Sequence, residues 1–324
     1  MSFLSKLKRK GNSSAEPRGK RRDSEPRTVA SVCYARNLTD PDASDYEITK
    51  AWSQVEKEMV IIAEGSVGLA SLSPDDLDQL DSRENSQLVH VDAFYIERLA
   101  VTNDQFQVFV DDGGYENFDL WPESVLPMVL NFVDTTGCPG PAFWANGRTP
   151  QGRSHHPVVG VSWYEAYAFA RWCGKRLLNC AEWQHAATWA DSGSGRHRYP
   201  WGDSFNANFA NTWEAKREDT VPVDQYAEGA TANGVHQMVG NVWEWTDTLF
   251  EAQTSKGLRI VTDGPMAEIR GGAYDTYFTS QATCRFRSAQ AIAARHPNLG
   301  FRLCLTASDL SQPNDSYAFC DQGE

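Results

Sequence analysis

The chain has no run of about 18 apolar residues, so nothing in its sequence has the make-up of a membrane-spanning helix. Its start, Met1-Ser-Phe-Leu-Ser-Lys-Leu-Lys-Arg, lacks the apolar stretch of about 7 to 15 residues that a secretory signal carries behind its basic end. The expected location is therefore the cytoplasm. The seven cysteines (33, 138, 173, 180, 284, 304 and 320) form no CxxC and show no zinc-type spacing with histidine. In a reducing compartment such scattered thiols are expected to be free and structural. No internal repeat is present, which argues against a solenoid.

Turn formers and aromatics are abundant instead: 24 Gly, 15 Pro and 11 Trp in 324 residues indicate an irregular fold anchored by aromatic side chains. Charge is uneven. Residues 1–27 hold nine Lys and Arg against Glu16, Asp23 and Glu25, and this +6 against −13 for the whole chain leaves −19 for the remainder. So acidic a body argues against nucleic-acid binding by the folded part. The basic leader, within a tail assigned to residues 1–50, is read as disordered, with an anionic membrane or nucleic acid as its candidate contact. Order is expected from Glu58 to about residue 306, followed by a polar tail over 307–324.

Three capping boxes predict helices: Thr102 with Gln105, Ser162 with Glu165, and Asn179 with Glu182. Strands are expected over EMVIIAEGSVGLASL and QLVHVDAFYIERLAV. Beyond residue 190 short strands and loops are expected in HRYPWGDSFNANFANTW, TVPVDQY, VHQMVGNVWEWTDTLF, IRGGAYDTYF, CRFRSA and LGFRLCL. Helices followed by irregular β-structure within one core indicate the α+β class. Gly240-Asn241 suits a tight turn, and Arg302 is expected to pair with an acid of the body.

In order and spacing, PVVGVSWYEAYAFARWCGKRLLNCAEWQHAA, YPWGD, MVGNVWEW, RGGAY and GFRLCL resemble the formylglycine-generating-enzyme, or sulfatase-modifying-factor, domain. IERLAVTNDQFQVFVDDGGY resembles the entry segment of the same domain. This resemblance covers about residues 58–306 and implies a C-type-lectin-like fold with short helices and short twisted strands.

What the resemblance implies for chemistry is mixed. Formylglycine-generating enzymes hold a cuprous ion with two cysteines after the Gly-Gly-Ser segment, since soft thiolates suit that ion. Here Ala273 stands where the serine is expected and Thr276 near the first copper cysteine, leaving Cys284 as the one candidate catalytic thiol. Copper-dependent oxidation is therefore not expected. Calcium is the cofactor that remains, with Gln237, Gly240, Val242 and Glu244 as one implied ligand set, and Asn211, the Thr212 carbonyl and Asp219 as another. Hercynine-type sulfoxide synthases resemble the domain too and hold iron with histidines, but none of the seven histidines here shows an HxxxH spacing.

Two functions follow. One is a module that binds a protein or small molecule at the surface near 274–287, through Tyr274, Asp275, Thr276, Tyr277, Phe278, Arg285 and Arg287. Its sharper version is a variable protein of a diversity-generating retroelement, a class that also resembles this domain and implies a diversified loop at 275–280. The other is a nonheme-metal oxidoreductase of the same superfamily.

Overall fold

The computed structural model describes residues 27–70, 86–188, 197–250 and 264–310. Three helices come first: α1 (Val29–Val32), α2 (Arg36–Thr39) and α3 (Asp45–Glu58). This corrects the expected tail over residues 1–50, because from Thr28 onward the segment is folded. The overlooked signal is a fourth capping box. Ser44 N donates to Glu47 Oε2 at 3.0 Å, and Ile48, Ala51 and Val55 then fall on one buried face. Cys33, Tyr34, Ala35 and Leu38 are buried with them. Residues 1–26, with most of the basic leader, lie outside the described residues.

Strands β1 (Met59–Ile62), β2 (Gly65–Ala70), β3 (Ser86–Val91) and β4 (Phe94–Glu97) follow, then α4 (Asn103–Asp111), α5 (Leu126–Val129), α6 (Trp163–Trp172), β5 (Arg176–Leu177) and α7 (Cys180–Ala187). The chain continues with β6 (Trp243–Leu249), β7 (Met266–Arg270), β8 (Ser288–Ala291), β9 (Leu299–Phe301) and β10 (Leu303–Thr306). One antiparallel sheet runs β1-β4-β10-β5, and β2 and β3 pair by themselves. A third sheet, β8-β7-β6-β9, is antiparallel except where β6 meets β9 in parallel. The α+β expectation holds.

The three expected capping boxes open α4, α6 and α7. In α6, Ser162 N donates to Glu165 Oε2 at 2.7 Å and Glu165 N to Ser162 Oγ at 3.3 Å; in α7 both bonds of the Asn179–Glu182 box measure 2.9 Å. Between them, Phe106, Phe109, Phe169, Trp172 and Phe301 interlock at centroid distances from 5.2 to 6.3 Å. Full burial of each such side chain contributes about 1.5–3 kcal/mol. A second cluster, with Ile62, Phe94, Ile96, Trp183, Cys284 and Cys304, lies under the β-rich half.

Residues 197–242 form no strand. The segments HRYPWGDSFNANFANTW and TVPVDQY, where short strands and loops are expected, are loops, and in the second the Asn241 side chain bonds both backbone groups of Val221 in place of a ladder. The 3-10 turn at Ala307–Asp309 and buried Leu310 carry the fold past the expected end at 306. Residues 311–324 lie outside the described residues.

Candidate functional site

At the end of β7 the chain passes through Gly271 and Gly272, with φ of +96° and +76°. Only glycine suits these positions, since a Cβ at Gly271 would stand 2.9 Å from the Met238 carbonyl oxygen. The following loop is fastened from below. Ala273 N donates to Thr276 Oγ1 at 2.8 Å, Tyr274 N to the Asn241 carbonyl at 3.1 Å, and Trp213 N to the Thr276 carbonyl at 3.3 Å. Asn298 Nδ2 donates to both Asp275 oxygens, at 2.9 and 3.1 Å.

Fastening the backbone leaves the large side chains outside. Tyr277 is 62% exposed, Phe278 59% and Trp213 51%. The Trp213 and Tyr277 rings lie 5.9 Å apart, and Phe278 stands perpendicular to Tyr277 at 5.1 Å. Exposed apolar clusters of this kind mark interaction sites, and Trp and Tyr are frequent anchors of binding energy. Sequence reasoning missed Trp213, because only the fold brings its loop against residues 274–278.

Alongside lies a polar cluster in which Arg153 pairs with Asp219 and also donates to Thr220 Oγ1 at 3.3 Å. His156 Nδ1 and Thr220 Oγ1 share a bond at 2.9 Å. The Arg153 bond holds the Asp219 carboxyl below its ordinary range. Burial, helped by the Arg153 charge, lowers the His156 imidazole, so that the ring is neutral near pH 7. Burial raises the Tyr274 phenol, with help from Asp275 and Asp219.

The other expected ligand-binding residues divide. Tyr274 and Arg285 are half-buried, Asp275 is exposed, and Thr276 is buried as the pin of the loop. Arg287, just before β8, donates through Nε to the buried Glu268 carboxylate of β7 at 3.0 Å and pairs with it through Nη2, so part of its guanidinium is committed within the fold.

Cys284 lies in the core. Its thiol is fully buried and donates to the Ala187 carbonyl at 3.3 Å, while burial pushes its pKa up to about 12. A sulfur so placed is a core thiol with no thiolate to offer. Cys304 is likewise buried, against the Arg176 and Leu177 carbonyls at 3.6 Å, and both cysteines are free. Thr276 Oγ1 is held by Ala273 N, so the donor set for a cuprous ion is not assembled here.

The first implied calcium set does not fit either. The Glu244 carboxylate accepts from Arg302 Nη2 at 2.8 Å, from Arg302 Nε at 3.2 Å and from Trp183 Nε1 at 2.8 Å, all buried. The Gln237 amide is bonded at both ends within the protein, and the Gly240 carbonyl accepts from Val242 N at 3.0 Å. In the second set the Thr212 carbonyl accepts from Ala215 N at 2.9 Å. Asn211 Oδ1 and Thr212 Oγ1, by contrast, are buried without a protein partner. Among the described residues, no three His, Cys, Asp or Glu side chains converge as a metal site, and no helix is long and apolar enough to cross a membrane.

Residues 46–307 match the family model of the sulfatase-modifying factor enzyme 1-like domain. Formylglycine-generating enzyme of Mus musculus is 30% identical over 259 residues, covering 68% of this chain and 68% of that protein. Hercynine oxygenase of Mycobacterium tuberculosis is 37% identical over 175 residues, covering 52% of this chain and 40% of the enzyme, so the chain spans less than half of that relative's length. Among solved structures, Treponema denticola variable protein 1 aligns with a TM-score of 0.52 at 17% identity, over 76% of this chain and 94% of that one, a likeness of fold alone.

Proposed function

We propose, from the premise that this chain belongs to the sulfatase-modifying factor enzyme 1-like domain family, that it is a binding module whose working face is the 274–278 loop with Trp213. The carrying observation is the contrast within a few residues: Tyr277 and Phe278 are presented to solvent by a fastened loop, while the nearby Cys284 thiol is sealed in the core. A rigid loop bearing aromatic side chains binds with little ordering cost. The ligand class in this reading is a protein or peptide segment, which an exposed cluster of three aromatic rings suits better than a small polar molecule. A cytoplasmic location is part of the same reading.

The test is selection of a random-peptide display library on the full chain, followed by affinity measurement on the W213A/Y277A/F278A variant. Recovered peptides are expected to bind the variant about 30-fold or more weakly, equivalent to one hot-spot side chain at about 2 kcal/mol. The unfolding free energy should change by no more than about 0.5 kcal/mol per substitution, since all three side chains are exposed. Binders indifferent to the triple substitution would overturn the reading. The retroelement version, in which residues 275–280 are diversified, stands or falls with a near-identical template repeat and a reverse transcriptase gene in the flanking DNA.

A second reading, a nonheme-metal oxidoreductase acting on a protein or small molecule, is favoured by the 37% identity to hercynine oxygenase. It requires bound iron or copper in the purified protein together with oxygen consumption on a supplied thiol.

A further inference from the structure

Three buried side-chain amides run in series beneath the working face. Gln237 Nε2 donates to the Pro222 and Gln225 carbonyls, each at 3.0 Å, and Gln237 Oε1 accepts from Asn241 Nδ2 at 2.7 Å. Asn241 Nδ2 also donates to the Val221 carbonyl at 3.1 Å, and its Oδ1 accepts from Val221 N at 2.9 Å and from Asn211 Nδ2 at 3.1 Å. Asn211 Nδ2 then reaches the Asp219 carbonyl at 2.9 Å. Gln237 is 7% exposed, Asn241 1% and Asn211 not at all, and the first two hold left-handed backbone at φ +52° and +70°.

Carbonyl oxygens gathered around one point need an electropositive centre, which is either a cation or an N–H donor. Here two backbone carbonyls, of Pro222 and Gln225, face one amide nitrogen. We infer that Gln237 Nε2 takes the place of a divalent cation in this turn, so that the loop over 219–225 and the turn beneath Tyr274 are held by an amide relay. Gln237 is the residue that decides it. Its two hydrogens satisfy both carbonyls and its oxygen binds the next amide, whereas a carboxylate there would face those carbonyls with like partial charge and call for a cation. Glu244 cannot supply that charge, because Arg302 and Trp183 hold its oxygens.

The test compares the calcium response of thermal unfolding, as the difference in Tm between calcium and a chelator, in the full chain and in the Q237D and Q237A variants. Comparing responses cancels any cation bound elsewhere, including near Asn211 Oδ1 and Thr212 Oγ1. Q237D is expected to melt below the wild type in chelator and to gain several degrees in calcium beyond any wild-type gain, because a cation that binds only the folded state stabilises it. Q237A should melt lower while keeping the wild-type response. Loss of the calcium response in Q237A would show that Gln237 itself ligates a cation and would overturn the inference. A Q237D response no larger than that of the wild type would also overturn it. If Q237D does not fold, the Q237A comparison decides alone.

Discussion

Replacing Arg302 by Met is expected to lower the unfolding free energy by about 3–5 kcal/mol, the usual cost of removing one partner from a buried ion pair. Arg302 and Glu244 are 0% and 2% exposed, so among the described residues the carboxylate left behind would keep Trp183 alone as a side-chain donor. The loss extends beyond the pair. Arg302 Nη1 also donates to the Glu97 and Arg98 carbonyls at 3.0 and 2.8 Å, and Nη2 to the His236 carbonyl at 2.7 Å. The guanidinium thus ties β6, the end of β4 and the 236 turn to one point between β9 and β10. R302K should recover little, because an ammonium lacks the planar fork that serves four acceptors at once. The double variant E244L/R302M should remain below the wild type, since the Glu97 and His236 carbonyls lose the Arg302 donor whether or not the charge pair is gone, while the Arg98 carbonyl keeps His236 N at 2.8 Å. Denaturant unfolding of the three variants measures this. Values within about 0.5 kcal/mol of the wild type, the range of an ordinary surface change, would show that the pair is dispensable.

Glu165→Ala is expected to have an effect of similar size for a different reason. Glu165 is fully buried at the start of α6, where its carboxylate accepts from Ser162 N at 2.7 Å, from Tyr115 Oη at 2.7 Å and from Arg295 Nη2 at 3.0 Å. Burial pushes its carboxyl up, and the Arg295 charge and these bonds offset only part of that. Truncation to Ala removes the reciprocal bond of the capping box and leaves the Tyr115 hydroxyl and part of Arg295 buried without their acceptor. The expected loss is about 3–5 kcal/mol, a large share of the 5–15 kcal/mol typical of folded proteins. E165Q keeps an acceptor for Ser162 N and should fall between the two. Tm and urea midpoints report both variants, and an E165A protein as stable as E165Q would contradict the assigned role of Glu165.

Much of the scaffold was legible because local chemistry and global packing agree in it. Thr102, Ser162 and Asn179 each begin a helix for reasons contained within four residues, and Gly271 and Gly272 stand where a Cβ would collide. The expected partner of Arg302 proved to be Glu244. What could not be read depended on distant contacts. The α1–α3 segment was hidden by its polar surroundings, although Ser44 and Glu47 signalled it, and its burial follows from contact with the core near Gly174, where a Cβ would lie 2.8 Å from Arg36 N. In TVPVDQY the backbone of Val221, Pro222 and Gln225 is bonded by the Asn241 and Gln237 amides, which lie far away in the sequence, rather than by a neighbouring strand. Arg287 and Phe278 both read as surface residues. Only the pairing of β7 with β8 separates the first, bound to Glu268, from the second, exposed beside Tyr277 and Trp213.

The most direct test of a binding face beside a sealed sulfur is to load the full chain with cuprous ion under air, supply a peptide bearing one cysteine, and follow the peptide by mass spectrometry. The account predicts no peptide oxidation by the wild type or by a C284A variant beyond that of a copper control without protein, and, in the wild type, a Cys284 unreactive to thiol reagents until the protein unfolds. Oxidation of the peptide cysteine by the wild type but not by C284A would contradict it.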